Sequence, residues 1–143
     1  MSNIIKIKLQ KNSALPIKAH YSDAGFDLFA TYDFSITRGQ VVKHPLNFIM
    51  ELPKDTYGEI TSKSGLGAKG IQVYAGIIDQ NYRGIPHVIM VYNSVGEQYR
   101  FVKGDKIAQL IIHPFSLKYE IQQVDDINTE TDRGIGGFGS TGK

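Results

Sequence analysis

The chain has no cysteine. That removes disulfides, thiolate metal sites and a thiol nucleophile, and it fits a reducing compartment. An Asn-x-Ser/Thr acceptor for N-glycosylation is also missing. Excess charge of one sign is scarce: 16 Lys and Arg stand against 14 Asp and Glu, a formal charge of +2. So small a bias argues against broad binding to nucleic acid or to a membrane surface, so any anion recognised here is met by a local cluster. Long apolar runs are lacking too. Met1 to Gln10 alternates apolar and basic residues where a signal peptide would have a continuous apolar core, and nothing later reaches the length of a membrane span. The expectation is a soluble protein, cytoplasmic or, if viral, of the host cytoplasm or nucleus, without membrane or direct nucleic-acid partners. No internal repeat and no long amphipathic helical window is present. His20, His44, His87 and His113 are dispersed without metal-ligand spacing and read as surface or core residues.

What is present is alternation. With 143 residues the chain suits one compact domain with a real core. Ile5, Ile7 and Leu9 oppose Lys6 and Lys8; Phe48, Met50 and Leu52 share one face, and Val88, Met90 and Tyr92 another, the period of half-buried strands. Turn signals punctuate them at Arg38-Gly39, Pro53-Lys54-Asp55, Arg83-Gly84, Val95-Gly96 and Lys103-Gly104. The expected class is all-β, a sandwich or barrel. Ile107 to Ile112 is nearly continuous apolar sequence broken by Gln109, so this strand is expected to be buried on both faces and its amide to need a partner. Residues 1–124 then form a β core. Residues 125–143 lose the alternation, turn rich in Gly, Ser, Thr and Asp, and form a mobile arm.

Three glycine-rich stretches could carry chemistry. Gly134 to Gly139 satisfies a dinucleotide fingerprint as a bare pattern, but only four residues follow it, too few for the helix that gives the fingerprint its meaning. Gly137 to Lys143 spells most of a phosphate-binding P-loop and fails for the same reason. The backbone amides beside Arg133, Ser140, Thr141 and Lys143 can still wrap a polyphosphate wherever the arm docks, or the stretch is a solvated tail. Phe138 favours docking, since an aromatic among glycines can stack on a flat ring. Ser62 to Gly70 offers hydroxyls, amides and two cations; it is a phosphate cradle or an ordinary loop. In Gly76 to Gly84, Asp79 directly follows an apolar run and precedes Tyr82 by three residues. That carboxylate is a positioned base or the first residue of a β-turn.

Taken in order, Ala24-Gly25-Phe26-Asp27-Leu28, Ser64-Gly65-Leu66, Gly76 to Gly84, Lys103 to Leu110 and Arg133 to Gly142 resemble the five motifs of the trimeric dUTPase family. The resemblance spans nearly the whole chain. It implies a jelly-roll-like β subunit in a homotrimer, with active sites shared between subunits and closed by the C-terminal arm. The implied reaction cleaves dUTP to dUMP and pyrophosphate, which keeps uracil out of DNA and supplies dUMP for thymidylate synthesis. By the same resemblance, Asp79 activates a water that attacks the α-phosphorus, and Asp27 belongs to a Mg²⁺ ion that spans the triphosphate and is held to the protein through water. Ser64, Gly65 and Gln109 contact phosphate oxygens, with Lys63 beside them. Backbone groups of Gly76, Ile77 and Ile78, in a hairpin leading to Asp79, read uracil, and Tyr82 packs under deoxyribose. Arg133 grips the γ-phosphate, Phe138 lies over the base, and Gly139, Ser140 and Thr141 complete the closing segment. Asp105 is structural, tied to the turn at Gly104.

Two positions depart from the family pattern. Ser62-Lys63 replaces the usual Pro-Arg, exchanging a planar forked cation for a point charge, and Gly67 replaces the usual Ala. The deaminases of dCTP share the fold but need a carboxylate beside the base; here the Ile-Ile-Asp-x-x-Tyr-Arg-Gly pattern and the complete arm favour phosphate hydrolysis. A silent nucleotide-binding protein would have no use for both Asp27 and Asp79, and a purely structural jelly roll explains the strands without the spacing. If Lys63 only approximates the usual arginine, Lys63→Arg keeps or raises turnover, measured as pyrophosphate released from dUTP. A fall of about tenfold or more, the scale of one lost positioned group, would show a site rebuilt around lysine.

Overall fold

The alternating segments become the buried faces of antiparallel strands. The computed structural model describes residues 3–142; expectations that involve Met1 or Lys143 lie outside the described residues. Along the chain run β1 (Lys6–Leu9), β2 (Phe26–Phe29), β3 (Phe34–Thr37), β4 (Val41–Pro45), β5 (Phe48–Glu51), β6 (Thr56–Thr61), α1 (Ser64–Gly67), β7 (Ile71–Tyr74), β8 (Ile77–Ile78), β9 (His87–Tyr92), β10 (Gln98–Phe101) and β11 (Lys106–Pro114). The fold is all-β and jelly-roll-like, as expected. Two larger sheets have the orders β2-β11-β6-β8 and β4-β9-β7, and two-stranded pairs β1-β5 and β10-β3 complete the body.

Phe48, Met50 and Leu52 are buried together, as are Val88, Met90 and Tyr92, and they meet Leu28, Ile36, Ile60, Ile71, Phe101, Ile107 and Leu110 in one core. The apolar run of β11 is explained by its place between β2 and β6 and by a register shift between Lys106 and Ala108. That bulge lets Ile107 and Ala108 both be buried although they are neighbours. Burial on both faces ends there, because Ile111 and Ile112 remain half-exposed. Each of the five turn signals falls between strands, and Asp105 caps its own turn as expected, accepting the Val102 N–H on Oδ2 at 2.8 Å.

No residue from Ser116 to Gly142 is buried. The hydrogen bonds of this stretch close within it, as in Gly134 N–H to the Thr131 carbonyl and Ser140 N–H to the Gly137 carbonyl.

One buried polar group stands out in the core. His44 is 0% exposed, stacked on Phe34 with centroids 4.4 Å apart. Its Nε2 accepts the Thr31 N–H at 2.9 Å, which puts the ring proton on Nδ1, and Nδ1 has no partner among the described residues. Burial, reinforced by the neighbouring His87, pushes its pKa from the ordinary 6.5 down to about 4. In the unfolded chain the ring regains its ordinary affinity for a proton. Stability is therefore full above pH 6.5 and is lost as pH falls toward 4, by on the order of 3 kcal/mol across that window. Urea unfolding at fixed protein concentration between pH 7.5 and 5 should show this slope, and His44→Gln should flatten it; a slope that survives the substitution assigns it to other groups.

Candidate active site

The middle of β11 aligns three strands. Gln109 stands opposite Asp27 of β2 on one side and Thr61 of β6 on the other, so the chain leaving β6 carries Ser62, Lys63 and α1 straight past Asp27. Asp27 is buried, with its side chain 8% exposed. Lys63 Nζ bonds its Oδ1, and Lys106 Nζ lies 3.2 Å from its Oδ2. Burial alone would raise this carboxyl, but the two ammonium groups outweigh it and hold the group below its ordinary range. Gln109 finds the partner its apolar strand required: Nε2 donates to the Ser62 carbonyl at 2.9 Å. Ser62 Oγ in turn accepts the Val73 N–H at 2.9 Å, tying this loop to β7. Ser64 and Gly65, just beyond, are exposed. The result is a rigidly held, cationic, open surface suited to anionic oxygens.

A second cluster lies where two sheets meet. Sequence reading expected a hairpin leading to Asp79; instead β7 pairs with β9 and β8 pairs with β6, so Ala75-Gly76 is a two-residue crossing between sheets. Both residues have positive φ, 55° and 108°. The Gly76 carbonyl accepts the Ile60 N–H at 2.7 Å, and a Cβ on Gly76 would sit 2.1 Å from the Ile60 oxygen, so only glycine allows this approach. The crossing opens a cavity of about 410 Å³ lined by Gly76, Ile77, Ile78, Asp79 and Tyr82 on one wall and by Lys43, Ile85, Pro86, His87 and Ile89 on the other. This volume suits a small ligand.

Asp79 is the first residue of a turn. Its main-chain carbonyl accepts the turn bond from Tyr82 N–H at 3.0 Å, but its exposed carboxylate takes no hydrogen bond or ion pair among the described residues. The turn is made by backbone and the side chain is left free. Tyr82 is positioned by its hydroxyl, which donates to the Ile85 carbonyl at 3.4 Å, and by Gly84, where a Cβ would meet that hydroxyl at 2.3 Å.

Within one chain these clusters are separate: Asp27, Lys63, Ser64, Gly65 and Gln109 do not line the Asp79 cavity. The arm residues join neither. Phe138 is fully exposed at 114%, and Arg133 Nε donates to the Gly136 carbonyl at 2.9 Å within its own turn; Gly139, Ser140 and Thr141 are exposed. Sequence reading missed Lys106 at Asp27, and Lys43 and His87 in the cavity. Only strand register, which fixes which face each residue shares, could have found them.

The expected tie between Asp27 and a metal is one made through water. Both of its oxygens already hold ammonium groups, and no group of three or more His, Cys, Asp or Glu among the described residues could hold a metal ion. A metal held through water, as expected, needs no such cage.

The sequence pattern of the dUTPase family matches residues 11–142. The deoxyuridine 5'-triphosphate nucleotidohydrolase of Clostridium tetani is 43% identical, over 97% of this chain and 97% of its own length. That of Kluyveromyces lactis is 39% identical, over 100% and 97%. The dUTPase of Staphylococcus bacteriophage 80alpha, solved with dUPNHPP, superposes with a TM-score of 0.88 at 27% identity, covering 99% of this chain and 100% of that one.

The Gly76 contact generates a graded expectation. Gly76→Ala should cost on the order of 3 kcal/mol, since strain at positive φ adds to a clash with backbone. Gly39→Ala, with φ of 79° but open space around it, should cost only about 1 kcal/mol. Urea unfolding of both variants checks the order; equal losses would mean that the crossing relaxes freely.

Proposed function

The chain belongs to the dUTPase family and is a dUTP diphosphatase, hydrolysing dUTP to dUMP and pyrophosphate; from this premise we propose that Asp79 is the base that directs the attacking water. The observation that carries the proposal is the exposed carboxylate at a nucleotide-sized cavity, anchored through its backbone and without a side-chain partner. It accepts a proton from water as the water oxygen adds to the α-phosphorus. The bond from phosphorus to the α,β-bridging oxygen breaks, and pyrophosphate leaves. A positioned base of this kind contributes about 10²- to 10⁴-fold in rate.

The remaining roles follow the two clusters. Lys63, Ser64, Gly65 and Gln109 hold the triphosphate, on the surface that Asp27 organises through its lysines. Tyr82 supports the deoxyribose. β8 is the edge strand of its sheet, so the backbone groups of Ile77 and Ile78 that face away from β6, with Gly76 before them, meet the uracil. Arg133 grips the γ-phosphate while Phe138 covers the base and Gly139, Ser140 and Thr141 close over the phosphates, excluding water. The family is generally magnesium-dependent; magnesium on the triphosphate supplies charge neutralisation. Asp27, whose oxygens hold Lys63 and Lys106, would meet it through water.

A homotrimer accounts for the separation of the clusters. Phosphate-binding residues of one subunit complete the Asp79 cavity of another, and an arm supplies the lid. The segment between the last strand and the arm supports this. Leu117, Tyr119 and Ile121 alternate with polar residues and are 66%, 88% and 104% exposed, an apolar face left uncovered among the described residues.

Asp79→Asn tests the assignment, because it keeps the shape and removes the base. Pyrophosphate release from dUTP should fall at least about 100-fold while dUMP still binds. Turnover at the wild-type rate would reassign the base.

A further inference from the structure

The Asp79 carboxylate takes no partner among the described residues, so its aim depends on how firmly the backbone beneath it is held. On the N-terminal side that hold is short. β8 has two residues, and its ladder with β6 consists of Ile77 opposite Glu59 and Ile78 opposite Gly58. The Ile60 N–H also bonds the Gly76 carbonyl. Hydrogen-bonded pairs of an antiparallel ladder recur at every second residue, so the next would join Thr56 to Gln80. No backbone bond joins them among the described residues.

A side chain takes over where the ladder stops. Gln80 Oε1 accepts the Asp55 N–H at 2.7 Å. A backbone N–H only donates, so the oxygen of the amide is the end that faces it. Both residues are half-buried, where such a bond competes less with water than on the surface. Asp55 is a fixed anchor. It sits in the left-handed region with φ of 59°, and its carbonyl accepts the Phe115 N–H at 3.0 Å, just past the end of β11. Thr56 Oγ1 donates to the Pro53 carbonyl at 2.7 Å across the same bend.

The turn itself is closed by other groups. Tyr82 N–H bonds the Asp79 carbonyl, and Arg83 Nη1 donates to the carbonyls of Gln80 and Tyr82, each at 3.1 Å. These three bonds lie within the turn, so they shape it without fixing it to the sheet. The Gln80 amide joins it to the start of β6 and the end of β11.

We propose that Gln80 is a positioning residue for hydrolysis: by accepting the Asp55 N–H where the β6-β8 ladder ends, it fixes to the sheet the turn from which Asp79 directs the attacking water. This rests on the reading of Asp79 as the base and adds the residue that sets its aim. A displacement of about 1 Å in a reacting group can cost on the order of 100-fold in rate. Ligand affinity should be spared, because Gly76 to Ile78 are held by the ladder and not by Gln80.

Gln80→Met keeps the reach of the side chain and removes the acceptor, whereas Gln80→Glu keeps an oxygen in place. Turnover of dUTP and equilibrium binding of dUMP are measured on the full chain. Gln80→Met should lower kcat by about 10- to 100-fold, with the Kd of dUMP within about threefold of wild type. Gln80→Glu should return kcat to within about threefold of wild type, which side-chain bulk alone would not do. In an Asp79→Asn background, Gln80→Met should change the residual rate by less than about twofold, since its effect passes through Asp79. A wild-type kcat in Gln80→Met, an equal loss in Gln80→Glu, a dUMP Kd that rises as far as kcat falls, or a further loss in the Asp79→Asn background overturns the proposal. The reading of Asp79 is judged separately. If Asp79→Asn alone turns over dUTP at the wild-type rate, the base lies elsewhere and both fall; an inactive Asp79→Asn beside an unimpaired Gln80→Met removes the positioning role only.

Discussion

The double ladder of β11 is the constraint from which the rest of the molecule follows. By pairing with β2 and β6 at once, it sets Gln109 between Asp27 and Thr61 and fixes where the chain leaves β6 for α1. Through β6 it also fixes β8, and through β8 the position of Asp79. A slip of one residue in either ladder would send Gln109 and Asp27 into the apolar core and Leu110 out to solvent. The bulge at Ile107 reconciles this register with burial of the strand's first apolar residues.

Electrostatics are arranged differently at the two ends of the site. At the proposed phosphate end a buried carboxylate anchors two lysines, which fixes positive charge without leaving it unpaired. At the proposed hydrolytic end the carboxylate has no partner among the described residues and only its backbone is held. One acid organises cations and the other is the proposed proton acceptor, and their surroundings differ accordingly.

Much of this was legible in the sequence because strand periodicity is local. The faces of β5 and β9 could be read from Phe48, Met50 and Leu52 and from Val88, Met90 and Tyr92, and every glycine turn fell between strands. Gln109 announced a polar contact simply by interrupting an apolar run. What could not be read depended on pairing between distant segments. His87 looked like any scattered histidine until its register with Pro45 put it on the cavity wall. That Asp27 meets Lys63 and Lys106 could not be read either, because they come from other elements, 36 and 79 positions away (63 − 27 and 106 − 27). The crossing at Ala75-Gly76 resembles a hairpin turn by composition, and only its partners show that it changes sheets.

The division of the site into two clusters that one chain does not bring together has a genetic consequence under the proposed homotrimer. Two inactive forms, one damaged at Lys63 and the other at Asp79, would carry lesions in different halves of each pooled site. Co-assembled, they would regenerate some intact sites by chance association of the undamaged halves. Two lesions in the same half could not complement one another in this way. Pairs of defective alleles would thus sort into two groups by where they fall on the fold, however close they lie along the gene.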